Sequence, residues 1–317
     1  MKLPNFFVVG AAKAGTTALC EYISQHPQIY ISPIKEPNFF ATENGDLECS
    51  FTGHGVASNQ LWIQTNQIVT SWPEYEKLFQ KVSGEKAIGE GSTIYLYSKH
   101  TARRIFDYSQ QAKIIIVLRN PVERAYSHYL FRIRHNQEPV NVFSDALDLE
   151  NQRIEDNWGP PWHYQRRSFY YEQVKRYLDI FGLTQVRIYL FEDFKHDTHT
   201  LLEDIYRFLR VAPNFKADTQ IQYNPSGIPK NAKLQTFLEG LNDAQHPLRV
   251  GFRSLIPEGI RKRTKVSRER AKVKLMKNNL AQPPLSPEVR AQLINVFRED
   301  ILKLQDMIQR DLSAWLV

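Results

Sequence analysis

The chain has 317 residues, 42% hydrophobic and 24% charged, with 41 Lys/Arg against 34 Asp/Glu for a net charge of +7. That balance excludes a disordered, collagenous or low-complexity chain, and no apolar run reaches the ~20 residues a membrane span needs. Two cysteines, Cys20 and Cys49, are too few for a disulfide framework or a Cys-based zinc site, so a reducing, cytoplasmic setting is expected.

The N-terminal run MKLPNFFVVG turns polar too quickly for a secretory signal. Within it, Phe6 to Val9 predicts a buried strand ending at Gly10, and Thr16 to His26 carries Leu19, Tyr22 and Ile23 at helical spacing. Gln28 to Ser32 alternates as a second strand. The polar stretch 42–70, with Gly45, Gly53 and Gly55, reads as a long functional loop. Trp72 to Val82 reads as a helix with Pro73 in its first turn, and Ala87 to Gly89 as a short strand.

Lys113 to Leu118, KIIIVL, is the strongest strand, apolar throughout as in a parallel sheet covered on both faces. Helices follow at Pro121–Arg134, Phe143–Asp156 and Ser168–Phe181, the last stopped by Gly182. Val186 to Phe191 is another strand. Two more helices cover Thr198–Leu209 and, after Ser286-Pro287, nearly the rest of the chain. This alternation predicts a P-loop-like α/β fold, a central parallel sheet flanked by helices. It is expected to form one domain over 1–317, with its core at about 5–212 and a helical, basic C-terminal extension at about 213–317.

Between the first strand and first helix lies Gly10-Ala11-Ala12-Lys13-Ala14-Gly15-Thr16-Thr17. Small residues let backbone N–H groups approach phosphate oxygens, and the helix N-terminus adds partial positive charge. The G-x4-G spacing is that of the nucleotide-triphosphatase loop, but Thr16 stands where that motif has Lys. The lysine is inside the turn, at Lys13. The strand KIIIVL ends in Arg119, which offers a bidentate fork for phosphate and no metal ligand. A phosphate-containing nucleotide without obligatory Mg²⁺ fits this pair better than the substrates of a P-loop kinase, the alternative reading.

The segment Arg119-Asn120-Pro121-Val122-Glu123-Arg124-Ala125-Tyr126-Ser127-His128, together with KAGTT, resembles the sulfotransferases that use 3′-phosphoadenosine 5′-phosphosulfate (PAPS), most closely their heparan-type and bacterial branch. The resemblance covers residues 6–40 and 113–210. It implies that Lys13, Ala14, Gly15, Thr16 and Thr17 hold the 5′-phosphosulfate, and that Arg119 and Ser127 hold the 3′-phosphate; Arg124 is a structural or secondary phosphate contact. Tyr189 to Phe194 resembles the family's adenine-contacting strand end, where Phe191 either stacks on the base or packs in the core. The R-K-G loop of many cytosolic members is absent; Asn224-Pro225-Ser226-Gly227 through Lys230, or the basic stretch 249–277, is the alternative closure of the 3′-phosphate site. PAPS as cosubstrate, PAP as product and no metal are the implied cofactor chemistry.

Sulfuryl transfer needs a base for the acceptor's proton and cations for the transferring group. Lys13 supplies a cation. In Ser32-Pro33-Ile34-Lys35-Glu36-Pro37-Asn38-Phe39-Phe40, Glu36 resembles the base of the carbohydrate members, and Pro37 predicts an extended Glu36. His128 and Glu90, in Gly89-Glu90-Gly91-Ser92-Thr93, are rival bases; the latter segment resembles one lining the family's acceptor cleft. The implied acceptor is a carbohydrate hydroxyl or amine, with a lipid or secondary-metabolite hydroxyl open. Residues 249–277 hold eleven Lys/Arg against Glu258 and Glu269. That stretch is either a solvated face or a contact for a polyanion or anionic membrane surface; no specific nucleic acid is expected.

Overall fold

Five runs of mostly apolar residues pair in parallel, and the chain order of these strands fixes where the loops meet. The structure, a computed structural model, describes residues 3–43, 46–47, 68–220, 227–231, 234, 273–275 and 277–317. The strands are β1 (Phe6–Gly10), β2 (Ile29–Ile31), β3 (Ala87–Gly91), β4 (Lys113–Leu118) and β5 (Val186–Leu190). They lie in the order β2-β3-β1-β4-β5. Phe6, Phe7 and Val8 of β1 pair with Lys113, Ile114 and Ile115 of β4, and the register shifts between Val8 and Gly10. At that point Ala11 N–H donates to Val117 O at 2.6 Å, and the chain leaves the sheet. Sheets of this topology collect ligands at the carboxyl ends of their strands, where order reverses about β1.

The chain divides into two units, Met1–Thr219 with Leu285–Val317, and Gln220–Pro284. In the second, Ile228–Pro229 pairs antiparallel with Leu280–Ala281. In the first, the core is aromatic and β-branched, with Phe6, Phe7, Ile114 and Ile115 wholly buried. Helix Pro287–Ile308 buries Leu293, Ile294, Phe297, Ile301 and Leu304. Its Asp300 accepts from the N–H groups of Tyr170 (2.7 Å) and Tyr171 (3.2 Å), capping helix Tyr171–Phe181.

Local signals account for most boundaries. Asn120 caps helix Pro121–Arg134 by accepting from Val122 N–H and Glu123 N–H, with Pro121 in the first turn. Gly182, at φ 71°, ends helix Tyr171–Phe181. The predicted helix 143–156 is broken into Phe143–Asp148 and Glu150–Glu155. Glu150 turns inward there, accepting from the N–H groups of Gln165 (2.7 Å) and Arg166 (2.8 Å). Helices Ile94–Tyr97 and Thr101–Tyr108 occupy a stretch with no element predicted, and the strand predicted to include Phe191 ends at Leu190. In the described part of 42–70, Thr42–Glu43 pairs with Asp46–Leu47.

Candidate functional site

The loop after β1 bends through left-handed residues. Lys13 has φ 68° and Gly15 φ 84°. A Cβ on Gly15 would stand 2.9 Å from Phe191 Cε2, so glycine serves both the conformation and the approach of that ring. Helix Thr16–Ile23 then starts with no side-chain cap and no acidic residue in its first turn. Its leading N–H groups and positive dipole end are thus suited to an anion. Lys13 Nζ lies 4.3 Å from the centroid of the Phe131 ring. Burial, then the cations Arg134 and Arg119, push its ammonium down to about 7, while Glu36 pulls it back up.

Arg119 leaves the end of β4 and crosses to this loop, its Nη1 donating to Lys13 O at 3.0 Å. The guanidinium lies 5.0 Å from the centre of the Phe191 ring, and Lys195 Nζ stands 5.4 Å from the same ring. Phe191, the first residue of helix Phe191–His196, is therefore an apolar ring close to Gly15 and flanked by two cations. Arg119 also lies 3.8 Å from Glu123, whose other oxygen pairs with Arg290 of the C-terminal helix. Tyr170 OH fixes the Arg119 carbonyl at 3.0 Å. Ser127 and Thr16 are both buried, on helices Pro121–Arg134 and Thr16–Ile23 respectively.

Glu36 is not extended, as Pro37 predicted; its φ is 63°. The residue before proline avoids the right-handed α region, and local bonds select the left-handed one. Glu36 N–H donates to Gly91 O at 3.0 Å. Thr93 Oγ1 donates to the Glu36 carboxylate, 3.1 Å from each oxygen, and Lys35 Nζ is 3.3 Å from Oε1. The Glu36 side chain is 39% exposed, so it is accessible to a second molecule. Burial is the largest influence on the Lys35 ammonium and lowers its proton affinity, but Glu36, Cys20 and Glu90 together reverse it and raise that affinity.

The two rival bases have different surroundings. Glu90 is wholly buried, with Tyr75 OH and Tyr95 OH on Oε1 and Ser92 Oγ on Oε2, each at 2.8 Å. Burial pushes its carboxyl up to about 7 against the pull of these hydroxyls. It has no surface on a cleft. His128 Nδ1 is engaged by Arg124 Nη1 at 3.3 Å, and burial followed by Arg167, Arg124 and Arg132 holds the imidazole proton affinity well below normal. An imidazole so placed is a weak base. Arg124 itself is wholly buried and bonds Ser168 Oγ at 2.7 Å and Tyr164 O, which suits a structural role.

Thr93 and Phe131 were not among the residues singled out for chemistry. A hydroxyl two residues past the end of β3 was the available signal for Thr93; none marks Phe131. The basic stretch 249–277 falls outside the described residues except at 273–275 and 277. Among the described residues, no cluster of His, Cys, Asp or Glu could hold a metal ion, and no helix is long and apolar enough to cross a membrane.

The sulfotransferase domain family model matches residues 3–224. A sulfotransferase structure from Alicyclobacillus acidocaldarius is 34% identical, with 99% of each chain covered and a TM-score of 0.74. The membrane-associated sulfotransferase kil1 of Dictyostelium discoideum is 23% identical over 74% of this chain. The bifunctional heparan sulfate N-deacetylase/N-sulfotransferase 4 of Mus musculus is 27% identical over 70% of it. The chain spans 62% and 24% of those two relatives' lengths. The match over residues 3–224 takes in the loop at Lys13, the strand end at Arg119 and the ring at Phe191, and with it this chain belongs to the sulfotransferase family.

Proposed function

We propose that this chain moves a sulfuryl group from PAPS to a hydroxyl or amine, with a carbohydrate as acceptor and Glu36 as the base. The bond from Arg119 to Lys13 carries this reading, because it joins two anion-holding segments on one side of the sheet, and Glu36 acts electrostatically on the same Lys13. Support for the carbohydrate comes from the Mus musculus relative, named for heparan sulfate. The uncapped helix start, the left-handed loop and the cation-flanked ring are what a phosphorylated nucleotide requires.

Bound PAPS supplies an activated sulfuryl group on a phosphosulfate anhydride. Lys13, Ala14, Gly15, Thr16 and Thr17 would hold its 5′ end, Arg119 and Ser127 its 3′-phosphate, and Phe191 its base. Lys13 places positive charge where negative charge accumulates on the leaving phosphate. Glu36 accepts the acceptor's proton at its carboxylate, which Thr93 and Lys35 orient. The stretch 249–277 would draw a polyanionic acceptor through its net positive charge. Reversing several charges there should raise the KM for a heparosan-type oligosaccharide and leave PAP affinity unchanged.

The test of the nucleotide reading is thermal. PAP should raise the melting temperature without Mg²⁺, through preferential binding to the folded state, and ATP with Mg²⁺ should do less. Equal, metal-dependent stabilisation by ATP would support a kinase instead.

A further inference from the structure

Glu90 is a carboxylate without any exposed surface, placed one residue before the end of β3. Such a group is costly to bury unless its lone pairs are filled. Here three hydroxyls occupy three of its roughly four acceptor sites, from Tyr75, Tyr95 and Ser92, each at 2.8 Å. A hydroxyl has one proton, so one that gives it to Glu90 turns its lone pairs outward. Two of the three then accept backbone N–H groups from a single segment. Ser92 Oγ accepts from Asn38 and Tyr95 OH from Phe40, both at 3.1 Å. The third hydroxyl belongs to the ring on which Phe39 stacks, with centroids 4.4 Å apart and planes at 18°.

We infer that Glu90 is a positioning residue for Glu36: through Ser92 and Tyr95 it holds residues 38–40, and thereby the left-handed turn that presents the Glu36 carboxylate to Thr93. Glu36 at φ 63° occupies a conformation that persists only where the surroundings over-determine it, next to Asn38 at φ 56°, a residue type that adopts this region readily. The hydroxyl relay, with the bond from Glu36 N–H to Gly91 O at 3.0 Å, is that determination. An amide at position 90 would bring a donor toward hydroxyls that now donate, and would release their orientation. This inference rests on the reading of Glu36 as the base.

The test compares Glu90→Gln, Ser92→Ala and Tyr95→Phe with Glu36→Gln and with the Glu36→Gln/Glu90→Gln double variant. Labelled PAPS and a de-N-acetylated heparosan oligosaccharide serve as substrates, and amide exchange is followed over 36–41. Glu90→Gln should lower kcat on the order of tenfold to a hundredfold, as for a displaced catalytic group, with the Kd for PAP within about twofold of wild type. Asn38 and Phe40 amides should exchange faster, and Ser92→Ala and Tyr95→Phe should show smaller effects of the same kind. In the Glu36→Gln background Glu90→Gln should cost nothing further. An equal loss in both backgrounds, or wild-type kcat in Glu90→Gln, overturns the inference. If Glu90→Gln does not fold, Ser92→Ala and Tyr95→Phe decide by the same measurements. Wild-type kcat in Glu36→Gln sinks the base reading instead; amide exchange then decides separately whether Glu90 holds the loop.

Discussion

Arg119 Nη1 donates to the backbone carbonyl of Lys13 at 3.0 Å, a bond between residues 106 apart in the chain. The side chain is 12% exposed, so this contact is made largely out of water. One guanidinium therefore ties the end of β4 to the loop after β1 and keeps further N–H groups for a ligand.

Removing it should weaken PAP selectively. Arg119→Ala is expected to cost roughly 2–4 kcal/mol of PAP binding, the range for truncating one partner of a desolvated charge pair. Adenosine 5′-phosphosulfate, without a 3′-phosphate, should lose much less. Calorimetric titration of both nucleotides checks this; equal losses would reduce Arg119 to a scaffold for the loop.

Lys13 predicts a pH dependence. Its ammonium, pushed down to about 7 chiefly by burial, is mostly neutral in the free protein at pH 8.5. A bound phosphate favours the charged form and raises that value. Binding then takes up a proton, and PAP affinity should fall as pH rises from about 7 to 9. Titrations at pH 8 in two buffers of different ionisation enthalpy should register the uptake. Lys13→Arg, charged throughout, should abolish it; unchanged uptake in that variant would assign the proton elsewhere.

Glu36→Gln should leave the melting temperature and PAP binding close to wild type while kcat falls on the order of 10²–10⁴, the contribution typical of a general base. Thr93→Val, which keeps the shape and removes the donor to both Glu36 oxygens, should give a smaller loss, on the order of tenfold. Single-turnover rates with labelled PAPS separate these effects from product release. A Thr93→Val loss as deep as that of Glu36→Gln would place Thr93 in the proton transfer itself.

Gly15→Ala places a methyl 2.9 Å from Phe191 at a φ of 84°. Strain in the turn should cost roughly 1–3 kcal/mol of stability, and displacement of the ring should weaken PAP. Adding Phe191→Ala removes the closest contact but leaves Phe194 Cδ1 at 3.2 Å and the dihedral strain, so the double variant should recover part of the melting temperature and none of the affinity. Full recovery of both would mean that the ring is only a steric neighbour.

The elements read correctly from sequence are those whose determinants are local. KIIIVL is a strand over the residues predicted because it is covered on both faces, and Pro121–Arg134 is a helix over its predicted span because Asn120 and Pro121 set its start. The turns at Lys13 and Arg119 were legible as strand ends for the same reason: each follows directly on its own strand. What stayed hidden depends on distant partners. The break at Leu149 follows from Glu150 reaching residues 165 and 166. The left-handed Glu36 depends on Gly91 and Thr93, and the buried state of Glu90 on Tyr75 and Tyr95. Ile94–Tyr97, at four residues, is too short for a periodic pattern to register.

The family match stops at residue 224, short of the helix that carries Arg290 and Asp300. Asp300 holds the N–H of Tyr170, Tyr170 holds the carbonyl of Arg119, and Arg290 holds the carboxylate beside it. A protein shortened to residue 224 would keep the loop at Lys13 and the strand end at Arg119 and lose the brace behind Arg119. Such a truncation should forfeit nucleotide affinity along with heat resistance, although no residue removed belongs to either motif.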